Sequence, residues 1–212
     1  MVGLPYSVVM AQALVLDRPT PPAAYVTYEE FLALPGDAHV EWVDGEVVPM
    51  VSVQLVHARI TAFLIRLLGA VVDERGIGEV LAEPFNIRLT KTGRAPDVIV
   101  VLNAHKDRYR DIYLQGPPDL AIEVMSPGSE ATDRGEKYFE YEAGGIPEYW
   151  LIDPEREVAE FYVLDERGRY RAVGVDDWFE SRTVPGLRVR IAWFWERPSV
   201  TQALAEMAAA SN

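Results

Sequence analysis

Three short segments of this sequence are almost wholly apolar, and they limit what the chain can fold into. They cover residues 97–102, 119–125 and 148–152, and include Val98-Ile99-Val100-Val101-Leu102, Leu120-Ala121-Ile122 and Tyr149-Trp150-Leu151-Ile152. Runs this short read as strands, and a strand without polar alternation is covered on both faces. A helical pattern, residues 133–143, stands between the second and third runs and is closed by Gly144 and Gly145. The order helix, three strands, helix, strand, with further strands at both ends, describes an α/β (α+β) domain. Its mixed central sheet is flanked by helices.

The remaining elements follow from local signals. Thr27-Tyr28-Glu29-Glu30 forms a capping box that opens a short helix ending near Ala33. Residues 40–50 read as a hairpin turning at Asp44-Gly45. Residues 54–74 carry Ile60, Phe63, Leu64, Leu67, Leu68 and Val71 at helical spacing, and Gly76 stops them. Residues 79–89 read as one strand, 90–94 as a turn and 103–118 as a polar loop. Residues 158–163, 169–173 and 187–191 read as strands, and 199–209 as a terminal helix. Trp193, Phe194 and Trp195 suit either core or interface. A length of 212 residues suits one domain, read here as 27–212 after a lead or added strand over 1–26. The lead lacks the basic start of a signal peptide. No segment reaches the ~18 apolar residues of a membrane span, so the expected location is cytoplasmic.

With no cysteine, disulfides and thiolate metal sites are excluded. The histidines are His39, His57 and His105, and no two have metal-ligand spacing. A bound metal would therefore take oxygen ligands, which favours Mg2+ or Mn2+. The net charge of −13 is opposite to that of most nucleic-acid binders, so any such contact needs a local basic patch or a bound cation.

Chemistry gathers on few residues. Asp97 opens its strand, and Glu123 lies near the end of the next. If these strands run antiparallel, the two carboxylates meet at one sheet edge. A carboxylate among Ile122, Val124 and Met125 costs several kcal/mol unless it is paired or coordinates a metal. A divalent ion satisfies both acids, and an ion pair with a neighbouring Arg is the alternative. Asp133, Lys137 and Tyr141 are spaced i, i+4, i+8 and share a helix face. The chain has few lysines, so one at this point is less readily generic surface charge. Arg88, Lys91 and Arg94 precede Asp97 without an intervening acid, which makes their segment a candidate phosphate contact. The mixed basic and aromatic segment around Tyr109 and Tyr113 is another.

In order, these segments are Pro96-Asp97-Val98-Ile99-Val100-Val101, Pro118-Asp119-Leu120-Ala121-Ile122-Glu123-Val124-Met125-Ser126-Pro127, Asp133 with Lys137, and Gly145-Ile146-Pro147-Glu148-Tyr149-Trp150-Leu151-Ile152-Asp153-Pro154. Together they resemble the Uma-type family of restriction-endonuclease-like proteins, within the PD-(D/E)xK nuclease superfamily. Glu41-Trp42-Val43-Asp44-Gly45-Glu46 and His57 resemble its pattern too. The resemblance implies a restriction-endonuclease-like core and a Mg2+- or Mn2+-dependent phosphodiester hydrolase acting on DNA. Asp97 and Glu123 would be metal ligands, and Lys137 would complete the catalytic set. His57, Glu46 and Tyr141 would line the site. The superfamily pattern places a Lys two residues after the second acid, where this chain has Met125; the Uma-type pattern supplies it from the next helix. A homodimer is the expected assembly. The rival readings are a catalytically silent nucleic-acid or protein binding module on the same fold, and a hydrolase of small phosphoesters.

Overall fold

The computed structural model describes residues 25–34, 40–49 and 54–210. The expected lead over 1–26 falls almost entirely outside them.

Thr27 caps α1 (Tyr28–Leu32), and both halves of the capping box are formed. The hairpin follows as β1 (Val40–Val43) and β2 (Glu46–Pro49). Asp44 (φ 45°) and Gly45 (φ 92°) give its turn the left-handed pair that a two-residue hairpin loop requires. Next comes α2 (Leu55–Val72), 18 residues with a mean hydropathy of 1.8. That length and apolarity match a membrane span, contrary to the reading above. The structure instead uses its apolar side as core, burying Ile60, Phe63, Leu64, Leu67, Leu68, Val71 and Val72. Each fully buried Leu on that face contributes about 1.5–3 kcal/mol.

Residues 79–89 are not one strand. They divide into β3 (Gly78–Ala82) and β4 (Asn86–Arg88), which lie in different sheets. Pro84 has no N–H for a ladder, so pairing stops before it. The expected turn at 90–94 contains a strand, β5 (Thr92–Arg94), paired with both β1 and β4. Beyond it lie β6 (Val98–Leu102), a 3-10 turn over Asn103–Arg108, β7 (Tyr113–Gln115) and β8 (Leu120–Val124). A π-helical turn, Thr132–Lys137, leads into α3 (Tyr138–Gly144), which Gly145 ends at φ 79°. The chain continues through β9 (Glu148–Asp153), β10 (Val158–Leu164), β11 (Tyr170–Ala172), β12 (Trp178–Glu180) and β13 (Arg188–Arg190). It closes with α4 (Trp193–Glu196) and α5 (Val200–Ala209). The strand β12 and the helix α4 are additions to the sequence reading, and the expected loop at 103–118 contains the strand β7.

The central sheet has the order β11-β10-β9-β8-β6-β3. Within this sheet the parallel pair is β8 and β9, joined by the π turn and α3. As expected, β6, β8 and β9 are buried on both faces. On one face α2 packs with Val98, Val100, Ile122, Val124 and Trp150, and Trp193 and Phe194 join that core rather than an interface. On the other face Ile99, Val101, Ala121 and Leu151 meet Tyr141 and Ile146, with Ile87 and Leu114 from the second sheet. That sheet has the order β2-β1-β5-β4-β7.

Two features fix outlying pieces to this frame. Glu148 is fully buried and accepts from Trp150 Nε1 (2.7 Å), Arg182 N (2.6 Å) and Thr183 N (3.1 Å), which holds the loop after β12 against the core. Gly93 lets Tyr28 pack flat on β5, since an added Cβ would stand 2.4 Å from the ring. Gly93→Ala should therefore destabilise the chain by about 1–3 kcal/mol through forced repacking. Chemical denaturation measures this, and an unchanged midpoint would mean that the ring moves freely.

Candidate active site

The antiparallel pairing expected of the first two buried strands is present. Val98 stands opposite Ile122, which brings Asp97 alongside Glu123. The Val124 N–H donates to Asp97 Oδ2 at 2.7 Å, fixing that carboxylate against the end of β8. On its other side His57, in the first turn of α2, places Nε2 3.1 Å from Asp97 Oδ1 and 3.2 Å from Oδ2. A carboxylate only accepts, so Nε2 carries the hydrogen. His57 Nδ1 is buried and finds no partner among the described residues.

Glu123 alternates with Ile122 and Val124, so its side chain shares the face of Ala121 and Met125 and meets the crossover. It is 3% exposed. Tyr141 donates its hydroxyl to Oε1 at 2.6 Å, and Lys137 Nζ lies 3.0 Å from Oε2. The same ammonium is 3.2 Å from Asp133 Oδ1 and 3.9 Å from Glu41 Oε1. The shared face of Asp133, Lys137 and Tyr141 is therefore real, although its first part is a π turn. Such wide turns recur at functional sites. Ser129 Oγ donates to Asp133 Oδ2 at 2.5 Å and holds the turn in place.

The charge balance explains the protonation of this cluster. Burial disfavours the Lys137 ammonium, but Glu123, Asp133 and Glu41 outweigh it and hold its pKa above the ordinary lysine value. Three carboxylates around one cation leave surplus negative charge. Burial first, then Asp97 and Asp133 against the pull of Lys137, push Glu123 up to about 8.

Asp97, Glu123 and Lys137 all line one open cleft of 540 Å³, with Glu46 and Glu136 exposed at its rim and Glu41, His57 and Asp133 in its walls. Tyr141 lies beneath, behind Glu123. Neither Asp97 nor Glu123 is paired with a guanidinium in the described structure. Of the expected basic segment, Arg94 lines the cleft, while Arg88 and Lys91 lie outside it. Arg94 is 1% exposed, and its guanidinium binds Glu140 (2.7 Å), Glu41 (2.9 Å) and Glu136 (3.3 Å). There it serves as an internal counter-ion to these three acids. Arg88 pairs with Glu29 at 3.3 Å and lies over the Tyr28 ring at 4.3 Å, outside the cleft. Lys91 is exposed and borders a neighbouring hollow.

Sequence reading placed Glu41 and Asp133 in the family pattern without counting them in the site, and did not single out Ser129. Glu41 had a usable signal, a carboxylate between Val40 and Trp42 in a hairpin strand, and Asp133 had its spacing to Lys137. The donor chemistry fits a hard divalent cation. Asp97 and Glu123 offer oxygen only, beside an open cleft, and magnesium is commonly held by one or two carboxylates with water in its other positions. Among the described residues no three acidic or imidazole groups form a ready-made cage.

Comparisons with known proteins agree with this architecture. A crystal structure titled as a putative nuclease belonging to DUF820 from Anabaena variabilis ATCC 29413 superposes with a TM-score of 0.69 at 20% identity, covering 81% of this chain and 98% of that one. At that identity it establishes the shared fold. No curated protein matches by sequence. The model of the Uma2 family, described as "Putative restriction endonuclease", matches residues 28–192. That span holds both sheets, the crossover and every residue of the cleft, and the chain belongs to the Uma2 family.

Proposed function

We propose that this protein is a divalent-metal-dependent phosphodiester hydrolase that cuts DNA at the Asp97–Glu123–Lys137 cleft. The observation that carries the reading is the Lys137 ammonium, 3.0 Å from Glu123 Oε2, set in an open cleft that Asp97 enters from the adjacent strand. Structural ion pairs of this cost are rarely left facing a cleft, and perturbed carboxylates there are marks of function.

Asp97 and Glu123 would hold Mg2+ or Mn2+. The ion would supply charge neutralisation at the phosphate and a nucleophile at neutral pH. The protein's own groups divide the remaining work. His57 and the Val124 N–H fix the Asp97 carboxylate from two sides. Tyr141 donates to Glu123 Oε1 and Lys137 lies beside Oε2, which fixes that carboxylate. Lys137, charged and almost buried, offers a cation to the oxygens of the attacked phosphate, where negative charge grows. Asp133 and Glu41 keep that ammonium from swinging out. Met125 cannot do this, and the crossover supplies the lysine that β8 lacks.

The test is nicking of supercoiled DNA with added manganese. Wild type should cut, and Asp97→Ala should lose at least about 100-fold of the rate. Equal cutting by both proteins would overturn the reading. A second reading, a binding module without turnover, draws on the acidic rim; it requires that manganese fail to bind the wild type in calorimetry.

A further inference from the structure

We propose that a single DNA strand runs along the surface beside the cleft, with Phe139 stacking on an unpaired base and Lys91 contacting its backbone. This rests on the nuclease reading and narrows its substrate to DNA with unpaired nucleotides next to the scissile bond.

Three concavities join end to end. Glu140, in the wall of the carboxylate cleft, also lines a hollow of 400 Å³ between the β4–β5 turn and α3. That hollow shares Leu89, Thr90 and Gly144 with a third, of 470 Å³, that reaches Arg88 and Gln115. The middle hollow is lined by apolar Leu89 and Ala143, and Phe139 borders it 59% exposed. Tyr138 meets the Phe139 ring edge-on at 5.2 Å, which steadies the ring without covering it. An exposed aromatic beside an apolar lining suits the flat face of a base, and such stacking tolerates any sequence.

Charge separates one strand from two. Glu140 is bound by Arg94 at 2.7 Å, which tempers the negative charge of the wall that the strand would pass. Lys91 adds an exposed cation at the rim of the same hollow. Glu46, exposed at the mouth of the cleft, repels the second phosphate backbone that a duplex brings. A single strand can thread past it with one backbone only.

The experiment is fluorescence anisotropy of a labelled oligothymidylate and a labelled hairpin duplex, without divalent metal, against the full chain. Wild type should bind the single strand more tightly than the duplex. Phe139→Ala should weaken the single strand about tenfold, and Phe139→Trp should retain its binding. Lys91→Glu should weaken it as well. Thermal melting of Phe139→Ala should match wild type, because the ring lies outside the core. Equal binding by wild type and Phe139→Ala, equal affinity for the two DNA forms, or no binding by wild type would each overturn the proposal. The catalytic reading fails separately. A chain that never cuts DNA yet loses strand binding on Phe139→Ala keeps the track and loses the hydrolase. A Phe139→Ala variant that binds the strand and cuts DNA as well as wild type does the reverse.

Discussion

Lys137→Met should abolish manganese-dependent cutting and make the fold sensitive to pH. The first effect comes from the lost cation at the phosphate, and a fall of about 100- to 1,000-fold is the usual size for one preorganised group of this kind. The second comes from the carboxylates left behind. Glu123, Asp133 and Glu41 surround the ammonium at 3.0, 3.2 and 3.9 Å, and all three are buried. Removing one partner of a buried pair costs about 3–5 kcal/mol when the remaining charge is uncompensated. In wild type, Glu123 already holds its proton more tightly in the folded chain than in the unfolded one, with its pKa pushed up to about 8. Its ionisation therefore subtracts stability as pH rises from the ordinary carboxylate range, and the loss is complete above about 8. Lys137 has the opposite sign. Its raised pKa gives stability that is fully present below the unfolded lysine value and is lost only as pH climbs through the folded one. With the ammonium gone, the Glu123 penalty is unopposed, so the variant should approach wild-type stability in mild acid and fall well below it under alkaline conditions. Urea midpoints measured across that pH range check this. A constant deficit would show that Lys137 matters for packing and not for charge.

Arg94→Met should be strongly damaging to stability, and it involves a residue whose side chain is almost fully buried. Burial alone disfavours its charge, yet Glu140 and Glu41 outweigh burial and keep it a guanidinium. It makes two bonds of 2.7 Å to Glu140 and one of 2.9 Å to Glu41. Without it Glu41, 5% exposed, keeps only the Ala95 N–H at 3.2 Å and the distant Lys137. The expected loss is about 3–5 kcal/mol. For a chain of this size that is a fall of roughly 10 °C in Tm. Arg94→Lys should recover little of it, since one ammonium cannot reproduce a fork that serves three carboxylates. Differential scanning calorimetry distinguishes these outcomes. A Tm within a degree or two of wild type would mean that the acids find other partners.

Much of this site was legible in the sequence, because it rests on short-range rules. Unbroken apolar runs gave β6, β8 and β9, and antiparallel pairing of the first two was enough to set Asp97 beside Glu123. The spacing of Asp133, Lys137 and Tyr141 was enough to bring them together. The illegible parts depend on burial that composition does not reveal. Arg94 looks like Lys91, three residues away, until the fold turns one inward and leaves the other in water. Residues 79–89 are apolar enough for one strand, but Pro84 cannot join a ladder, and the two halves pair in different sheets. The apolarity of α2 serves a buried face. The partner of Glu41 becomes visible only once β5 brings Arg94 alongside β1.

Anomalous diffraction from crystals soaked in manganese tests the central claim most directly. The account predicts one peak in the cleft, about 2.0–2.2 Å from an oxygen of Asp97 and an oxygen of Glu123, with Lys137 still beside it. A cleft with no peak at saturating manganese, or a peak held only by the rim acids Glu46 and Glu136, would contradict it.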